Sequence, residues 1–229
     1  MELLAVVAII AMLAALSFPA LSRMRDVGNR AKCAGNLKQL AAGILAYAGE
    51  NIMKIPYLND WRWPNGSYKQ TFWMRAISPY LGFEWTDEKM QKWEAQNTLR
   101  GLPPVFYCPT DKGPAPTFPT PWDVSYGINW LIAPEAKDAA PVTPSQIRLV
   151  NVPKPSQIIL LGDGAHANED AGASFWIGCG VPAMKFSKRH GNGANIAWLD
   201  GHVTQETAGK TSEYYSQVWP NRTNWVPGE

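Results

Sequence analysis

Two imidazoles and two carboxylates in the last third of the chain are the side chains best suited to chemistry together. Asp163 follows an apolar run, and His190, Asp200 and His202 come later. If the ends of neighbouring strands converge, imidazole with carboxylate would suit a divalent metal ion. No tight ligand spacing is present, however, and an Asp-Gly pair makes a turn without a metal. We therefore expect no metal and no cofactor, with Asp163, His190 and Asp200 as the candidate ligands if one binds.

Templates for common enzyme classes do not fit the sequence. There is no Gly-x-Ser-x-Gly nucleophile elbow. The segment Gly209-Lys-Thr211 looks like the end of a phosphate loop, but Thr204 stands where that loop needs a glycine. The segment Gly191-Asn-Gly193 begins a dinucleotide fingerprint that breaks at Ile196. We therefore expect a protein that is not an enzyme.

Short apolar runs around these residues are typical of a β-sheet. Asp163-Gly164 ends the first run, and Asp200-Gly201 between two apolar runs indicates a hairpin that returns through His202-Val203. On the simplest interpretation His190 forms a hydrogen bond across this hairpin, and both Asp-Gly pairs make turns. Strands are predicted over Gln157–Leu161, Met184–His190 and Ala194–Leu199.

The middle of the chain predicts few regular elements. Residues 52–100 are rich in Trp and Tyr among turn formers, and one short helix is predicted from Asp87 to Leu99 with Thr86 as its cap. Residues 101–155 hold most of the prolines, which break regular elements into short pieces. A β-like patch at Ser125–Asn129 interrupts them. We expect that patch to be an ordered insertion on the sheet.

The first fifty residues predict one long helix. Gly49 and Asn51 supply a stop, and Pro19 should loosen the helix, because proline removes a backbone hydrogen bond. We expect the helix to run from near the start to about residue 49. From residue 30 onward, steps of three, four or one mark an amphipathic face made of Cys33, Leu37, Leu40, Ala41, Ile44 and Ala48.

The start of this helix is entirely apolar apart from one acid. Fourteen uninterrupted apolar positions run from Leu3 to Leu16, and Glu2 stands ahead of them. At ~1.5 Å per residue, residues 1–21 span roughly 30 Å, the thickness of a bilayer's hydrocarbon core. Such a helix could span a membrane or pack among like helices. A carboxylate at its edge is costly unless it pairs with a cation, so Glu2 requires a partner.

The segment from Glu2 through the apolar run to Ser17-Phe-Pro-Ala-Leu21 resembles the N-terminal helix of type IV pilins and type II secretion pseudopilins. In that family a membrane peptidase removes a basic leader, and the new N-terminus is methylated. A Glu shortly after the cut pairs with a neighbouring subunit's terminal amine, and Glu2 is the matching position. The leader and the residues between the cut and the Glu are absent here. We therefore expect either a misassigned start or a trimmed chain.

Three arginines after the apolar run bear on orientation. Arg23, Arg25 and Arg30 alone would place the large domain in the cytoplasm under the positive-inside rule. A basic leader would reverse that assignment. The resemblance therefore implies an exported head, with the chain in an extracellular filament at the cell surface after a pool in the inner membrane.

Later segments resemble a group of pilin-like proteins that share a C-terminal motif of His, nine residues and Asp-Gly. His190 and Asp200-Gly201 match that motif, whose role we expect to be structural together with Asp163-Gly164. The other segments that resemble the group are Cys33–Leu40, Phe106–Pro109, Ser125–Asn129 and Pro155–Gly164.

Three cysteines fit an oxidising compartment, with one disulfide and one leftover thiol, although three buried reduced cysteines stay an alternative. Cys33 and Cys108 both fall in segments that resemble the group, so the resemblance implies that they pair. Cys179, flanked by glycines, is expected to be a small residue in a tight loop.

Composition fits one globular domain behind the helix, with 229 residues, 46% hydrophobic, 17% charged and a net charge of +2. A charge so close to neutral gives no electrostatic case for a nucleic acid partner. We expect a hydrophobic transmembrane or filament-core helix at 1–25 and a head at 26–229. Within the head we expect a helix continuation at 26–49, Trp- and Pro-rich loops at 50–155, a β-sheet at 156–210 and a tail at 211–229.

The resemblance implies an α+β fold, in which a long N-terminal helix packs on an antiparallel sheet with long loop insertions. It implies a structural subunit of a type IV pilus-like filament. The implied partners are copies of the chain in a helical filament, the inner membrane before assembly, the prepilin peptidase and the pilus or secretion assembly machinery. The residues expected in subunit assembly are Glu2, Leu3, Leu4, Val6, Val7, Ile9, Ile10, Leu13, Leu16, Phe18 and Pro19.

Other functions stay open. One is a pseudopilin of type II secretion, which has the same architecture. Another is a membrane-anchored protein whose Trp-rich head binds glycans, because exposed indoles stack on sugars and attract cations. We favour burial for most of the eleven tryptophans and expect Trp219 and Trp225 to be the most exposed. A metal-dependent enzyme built on Asp163, His190 and Asp200 ranks last.

Overall fold

The computed structural model describes residues 2–60, 71–84, 86, 103–111, 124–133, 135–136, 147–165, 176–177 and 186–216. Several predictions concern residues outside these ranges. They are the helix over Asp87–Leu99, the loop position of Cys179 and the exposure of Trp219 and Trp225.

The long N-terminal helix is confirmed as α1, Glu2–Glu50, which continues through Pro19. Asn51 forms the predicted stop, because its side-chain Nδ2 donates to the Tyr47 carbonyl at 2.8 Å. Ile52 and Met53 then adopt positive φ values of 56° and 60°, which cannot continue a right-handed helix. The chain therefore turns sharply after Glu50.

The C-terminal half of α1 packs on the head. The predicted amphipathic face is confirmed, since all six of its residues are fully buried. They meet the turn at Ser78–Leu81, the turn at Pro104–Phe106 and one face of a sheet. Burying a Leu or Ile side chain contributes about 1.5–3 kcal/mol, so this face fixes α1 on the head.

The main sheet confirms the α+β class. Its antiparallel part is β3-β5-β7-β8, and β6 lies parallel to β3 at the edge. The predicted hairpin at Asp200-Gly201 is confirmed, and Gly201 has the positive φ, 88°, that glycine adopts at no steric cost. The strands are β3, Tyr126–Asn129; β5, Ile159–Asp163; β6, Trp176–Ile177; β7, Gly193–Trp198; and β8, Val203–Thr207.

The patch at Ser125–Asn129 is ordered, as predicted. It lies within the main sheet, where Tyr126–Asn129 form β3 between β5 and β6. A second, small sheet has the order β2-β1-β4 and was not predicted. Its strands have two residues each, too short for any alternation to show in the sequence. They are β1, Asn59–Asp60; β2, Thr71–Phe72; and β4, Glu135–Ala136, and the short helix α2, Trp73–Ile77, follows β2.

The predicted strand at Met184–His190 is wrong over its described part, 186–190. Phe186 makes a single bridge with Gly164, and the chain then turns. The backbone N–H of Ser187 donates to the Asp163 carbonyl at 2.8 Å. After the exposed Lys188, Arg189 and His190 carry their side chains into a polar cluster instead of continuing a ladder.

The first part of the predicted tail, from residue 211, belongs to a helix that was not predicted, α3, Ala208–Ser216. The amide of Ala208 donates to the Asn192 carbonyl at 2.8 Å. Tyr214 packs edge-on against Trp198, with ring centroids 6.0 Å apart. Tyr214 is the one large buried apolar side chain among the described residues of this largely polar helix, which is why hydrophobic periodicity did not reveal it.

The helices α1 and α3 lie on opposite faces of the main sheet. Residues 193, 195 and 197 of β7 point to one face and residues 194, 196 and 198 to the other, as strand geometry requires. Ala197 belongs to the core shared with α1, whereas Trp198 packs with Tyr214 of α3. The α1 side of the sheet is the side that carries the polar cluster.

Candidate functional site

A disulfide joins α1 to the segment 103–111. Cys33 and Cys108 are bonded, with Cα atoms 5.2 Å apart and a sequence separation of 75. This is the pairing that the resemblance implies. A cross-link of this kind contributes about 2–4 kcal/mol to stability. It ties the Cys-Pro turn, in which the Asp111 amide donates to the Cys108 carbonyl at 2.9 Å, to the long helix.

His190 lies directly against this disulfide. Its Nε2 atom is 3.2 Å from Cys108 Sγ and 3.5 Å from Asp163 Oδ2. The turn that follows places it there, because the His190 amide donates to the Gly193 carbonyl at 3.1 Å and Gly191 takes a positive φ of 61°. The His190 side chain is 1% exposed and that of Asp163 is 0% exposed. The pair is therefore shielded from water.

Burial drives both ionisable groups toward their neutral forms. Burial is the main reason that the pKa of His190 falls to about 4. The nearby Arg189 and Arg30 guanidinium groups account for part of the same shift. Burial raises the pKa of Asp163 to about 7, against the opposing charge of Arg189. The imidazole is therefore neutral at pH 7, and Asp163 holds a proton far more readily than an exposed carboxyl does. Their contact is not a conventional ion pair.

Asp163 is held in place from the neighbouring strand. It is the last residue of β5, and its Oδ2 atom accepts a hydrogen bond of 2.7 Å from the Asn195 amide of β7. Its Oδ1 atom is buried and makes no hydrogen bond of ordinary geometry among the described residues, although the Asn195 side-chain amide lies close enough to lower the Asp163 pKa. A buried acceptor without a partner is costly and uncommon, so it indicates either a proton or a ligand.

Arg189 and Asp111 form a second, adjacent pair. Arg189 Nη1 contacts Asp111 Oδ2, and the two side chains are 4% and 7% exposed. The same guanidinium donates through Nη2 to the Gly164 carbonyl and through Nε to Ser187 Oγ at 2.7 Å. Arg189 therefore links the end of β5, the turn before β7 and the segment 103–111.

A hydroxyl connects this pair to the disulfide. Ser125 Oγ donates to Asp111 Oδ2 and accepts a hydrogen bond of 2.8 Å from the Cys108 amide. On the helix side, Asn36 Nδ2 donates to the Tyr107 carbonyl at 3.0 Å and to Tyr126 Oη at 3.2 Å. Burial raises the pKa of Tyr126, and the nearby Asp163 charge raises it further. The polar groups form one network between α1 and the sheet.

Arg30 and Gln205 close the outer side of the network. Arg30 Nη1 donates to Gln205 Oε1 at 3.1 Å, and Gln205 Nε2 donates to the His190 carbonyl at 3.1 Å. A Cβ on Gly191 would lie 2.7 Å from Arg30 Nη2. A hydrogen bond therefore does join His190 to the hairpin. It runs from the Gln205 side chain to the backbone carbonyl of His190 and does not involve the imidazole ring.

Of the residues that could in principle converge, Asp163 and His190 do meet, whereas Asp200 and His202 lie apart from them at the other end of β7. The six residues of β7 separate His190 from Asp200, a distance of roughly 20 Å at strand rise. Asp200 Oδ1 lies 2.5 Å from His202 Nδ1 instead. Burial would raise the Asp200 pKa, but hydrogen bonds from the His202 ring and amide outweigh it and lower that pKa. The Asp200-Gly201 pair makes a turn, as predicted, whereas Asp163 serves the network.

Several members of the network were not anticipated from the sequence as site residues, and four of them contact the His190, Asp163 and Cys108 group or its neighbours directly. They are Asp111, Ser125, Arg189 and Asn195. Asn195 carried a usable signal, because it is a polar residue on the inward phase of an apolar strand and is 1% exposed. Arg189 and Asp111 carried none, since charged residues in loops are usually solvated.

The network contains atoms that metal ions accept. Cys33 Sγ, Cys108 Sγ and His190 Nε2 all lie within 4.8 Å of one another. While the sulfurs are bonded to each other neither is a thiolate, and a thiolate is the form that binds metal or attacks as a nucleophile. In the oxidised chain the arrangement ties α1, the segment 103–111, β5 and β7 together.

The N-terminal half of α1 is a separate surface. The structure does not describe the side chains of Glu2, Leu16 and Pro19. The remaining expected assembly residues are all more than half exposed. Within the described residues, no helix contains an apolar segment long enough to cross a membrane. The exposed set is Leu3, Leu4, Val6, Val7, Ile9, Ile10, Leu13 and Phe18, with exposed fractions from 52% to 78%.

Comparison with protein-family models, with curated proteins and with solved structures finds no match to this chain.

Proposed function

We propose that this chain is a structural subunit of a type IV pilus-like extracellular filament, which assembles through the N-terminal half of α1. The observation that carries the proposal is the contrast between the two halves of one helix. The C-terminal half is buried on the head. The N-terminal half exposes large apolar side chains from Leu3 to Val27, the latter with 62% of its surface exposed.

The exposed side chains surround the helix rather than forming one stripe. Successive residues turn by about 100°, so Leu3, Leu4, Val6 and Ile9 point in four different directions. A helix that is apolar on all sides is normally buried on all sides. An apolar surface of this kind marks an interaction site, and burying it gains ~25 cal/mol per Å².

The occupant that fits this surface best is the same half of neighbouring copies. Helices that are apolar all round can bundle with one another, and the free half of α1 extends roughly 38 Å, long enough for several turns of contact. A bundle of such helices would leave the heads outside. The family resemblance implies the same arrangement.

Glu2 is the proposed register element. In the resembling family the matching Glu pairs with the terminal amine of a neighbour. An unpaired carboxylate in an apolar bundle is strongly disfavoured, so only the aligned packing would be stable. The family also implies processing by the prepilin peptidase, a pool in the inner membrane and assembly by dedicated machinery, and these belong to the proposal.

The head supports the proposal in general terms. It is an α+β domain in which the C-terminal half of α1 packs on an antiparallel sheet, and the Cys33–Cys108 disulfide adds a covalent tie. A pilin-like identity for this head is part of the proposal. A glycan-binding head gains no support from Trp73 and Trp198, which are buried.

A matched pair of substitutions tests the proposal. Val7 and Val150 are 57% and 66% exposed, the first on the free half of α1 and the second on the head. Val7→Asp should leave the fold of the single chain intact and abolish filament yield, measured as sheared, sedimentable protein. Val150→Asp should assemble as the unaltered chain does. Equal yields from both variants would refute assembly through α1.

A further inference from the structure

The disulfide and His190 place three metal-binding atoms in one buried position. Both cysteine sulfurs and His190 Nε2 lie within 4.8 Å of one another, and the three residues are at most 3% exposed. Sulfur and imidazole nitrogen are the ligands that zinc prefers at structural sites. The three come from α1, the segment 103–111 and the turn before β7, so an ion bound here would hold three parts of the head together.

Asp163 supplies a fourth donor. Its Oδ2 atom is 3.5 Å from His190 Nε2, and its buried Oδ1 atom makes no hydrogen bond of ordinary geometry among the described residues. Ligand atoms of a tetrahedral zinc site lie roughly 3.3–3.8 Å apart, given bond lengths of ~2.0–2.3 Å. The spacings of 3.5 Å to Asp163 and 3.2 Å to Cys108 Sγ are close to that range.

We propose that reduction of the Cys33–Cys108 disulfide by a dithiol turns this cluster into a zinc site, with Cys33 Sγ, Cys108 Sγ, His190 Nε2 and an Asp163 carboxylate oxygen as ligands. The inference goes beyond the proposed filament and does not depend on it.

The dithiol gives two electrons and two protons, its own sulfurs join in a disulfide, and Cys33 and Cys108 become thiols. When Zn²⁺ binds, the two thiols release two protons to solvent and coordinate as thiolates. The His190 imidazole, already neutral, coordinates without losing a proton. Any proton on Asp163 is released as well.

Reduction leaves the ligands positioned. The cysteine Cα atoms are 5.2 Å apart, so rotation of the side chains can separate the sulfurs to a ligand distance. Existing contacts then act as outer-shell support. The Asn195 amide holds Asp163 Oδ2, and Ser125 Oγ holds the Cys108 amide. Thr110 Oγ1 lies 3.0 Å from Cys108 Sγ, within reach of a thiolate.

The consequence is a head that is fastened in either redox state. In an oxidising compartment the disulfide ties α1 to the segment 103–111. In a reducing one the metal ion would tie the same residues and add His190 and Asp163.

The test uses the full chain with Cys179→Ser as a common background, which removes the third thiol. The protein is reduced with dithiothreitol, freed of it by gel filtration without oxygen and titrated with Co²⁺ as an optical probe. We expect one Co²⁺ per reduced chain, with the intense visible bands of tetrahedral coordination and sulfur-to-cobalt charge transfer, displaced by Zn²⁺. The oxidised chain should show none of these bands.

Substitutions assign the ligands. His190→Gln should weaken binding more than about a hundredfold, and Asp163→Asn by about 10- to 100-fold. His202→Gln is the control, since that ring stacks on Trp198 at the far end of β7, and it should leave affinity unchanged. Retained binding in a Cys33→Ser, Cys108→Ser double variant would overturn the assignment.

A measurement without ligand variants guards against misfolding. If the reduced chain loses helical circular dichroism, added Zn²⁺ should restore it, and a chelator should remove it again. A reduced chain that neither binds Co²⁺ nor responds to Zn²⁺ would overturn the proposal, as would equal binding by the oxidised chain.

Discussion

His190 Nε2 lies 3.2 Å from Cys108 Sγ, although 82 residues separate them in the chain. Cys108 is in turn bonded to Cys33 of α1, so the contact places a titratable ring at the junction of the helix and the sheet. With Asp163 on its other side, His190 joins a covalent cross-link to a buried carboxyl. The stability of the head should therefore respond to pH through this pair.

The first prediction concerns opposing proton preferences. Folding raises the pKa of Asp163 from 3.8 to about 7 and lowers that of His190 from 6.5 to about 4. Between these values the folded chain gains a proton at Asp163 and loses one at His190 relative to the unfolded chain. The two effects on the free energy of unfolding should cancel, so the pair contributes little slope from about pH 4 to 6.5.

Removal of one member should reveal the other. In His190→Gln the free energy of unfolding should fall as pH rises from about 4 to 7, by up to ~1.4 kcal/mol per pH unit, because neutral Asp163 stabilises only below its folded pKa. In Asp163→Asn it should rise from about pH 4 to 6.5, because neutral His190 stabilises only above its folded pKa. Urea unfolding across this pH range measures both slopes. Slopes of the same sign in the two variants would contradict the assignment.

The second prediction concerns Arg189. Arg189→Met should lower the free energy of unfolding by about 3–5 kcal/mol, because it removes the guanidinium that contacts the nearly buried Asp111 carboxylate. Chemical denaturation measures this loss. Lys188→Met, at the exposed neighbouring position, is the control and should change stability by less than about 0.5 kcal/mol. Similar losses of stability in both variants would show that the contact between Arg189 and Asp111 does not contribute to the free energy of unfolding.

The same pair offers a coupling test. Arg189→Met combined with Asp111→Asn should lose less stability than the sum of the two single changes, since the two side chains contact each other directly and the double variant removes both charges. Strict additivity in the double-mutant cycle would contradict a direct interaction between the two side chains.

The third prediction concerns glycine-to-alanine substitutions, which should change the stability of the head in opposite directions at two sites. Gly193→Ala should destabilise the head, because a Cβ there would lie 2.2 Å from the backbone oxygen of Glu206, which the β7–β8 ladder holds in place. Gly35→Ala should stabilise it by up to about 1 kcal/mol, because the site is helical and a Cβ meets nothing within 4 Å. Thermal melting compares the two. A melting temperature that moves the same way in both would be inconsistent with the packing of β7 on β8.

The fourth prediction concerns Glu2. Glu2→Gln should leave the content of the membrane fraction unchanged and reduce the yield of sheared filaments, because the register contact loses its charge. Glu213→Gln, an exposed acid on α3 that pairs with Lys210, is the control and should assemble normally. Normal filament yield from Glu2→Gln would remove the register role but not assembly itself.

Hydrophobic periodicity predicted the parts of the fold that depend on burial. Leu37, Leu40 and Ile44 recur at helical spacing, and burial on one side is what such spacing requires. The hairpin at Asp200-Gly201 was also predictable, because the turn needs a residue that tolerates positive φ. Both features are local, so the sequence alone contains them.

The site was only partly predictable, because its contacts are long-range and polar. His190 and Asp163 were singled out by residue type, with Asp200 as a third candidate, but nothing in the sequence indicated that Cys108 lies beside them. Arg189 and Asp111 meet across loops whose course no periodicity specifies. The sequence did not predict the short strands of the small sheet or the polar helix α3 for the same reason, since packing partners elsewhere in the chain determine them.

The most direct test of the central claim is cryo-electron microscopy of filaments sheared from the cell surface, at a resolution that identifies side chains. The account predicts a fibre whose core is a bundle of α1 helices with residues 3–27 in mutual contact, and whose surface carries heads linked to α1 through Cys33 and Cys108. Surface fibres built from another sequence, or filaments of this chain in which residues 3–27 are exposed, would contradict it.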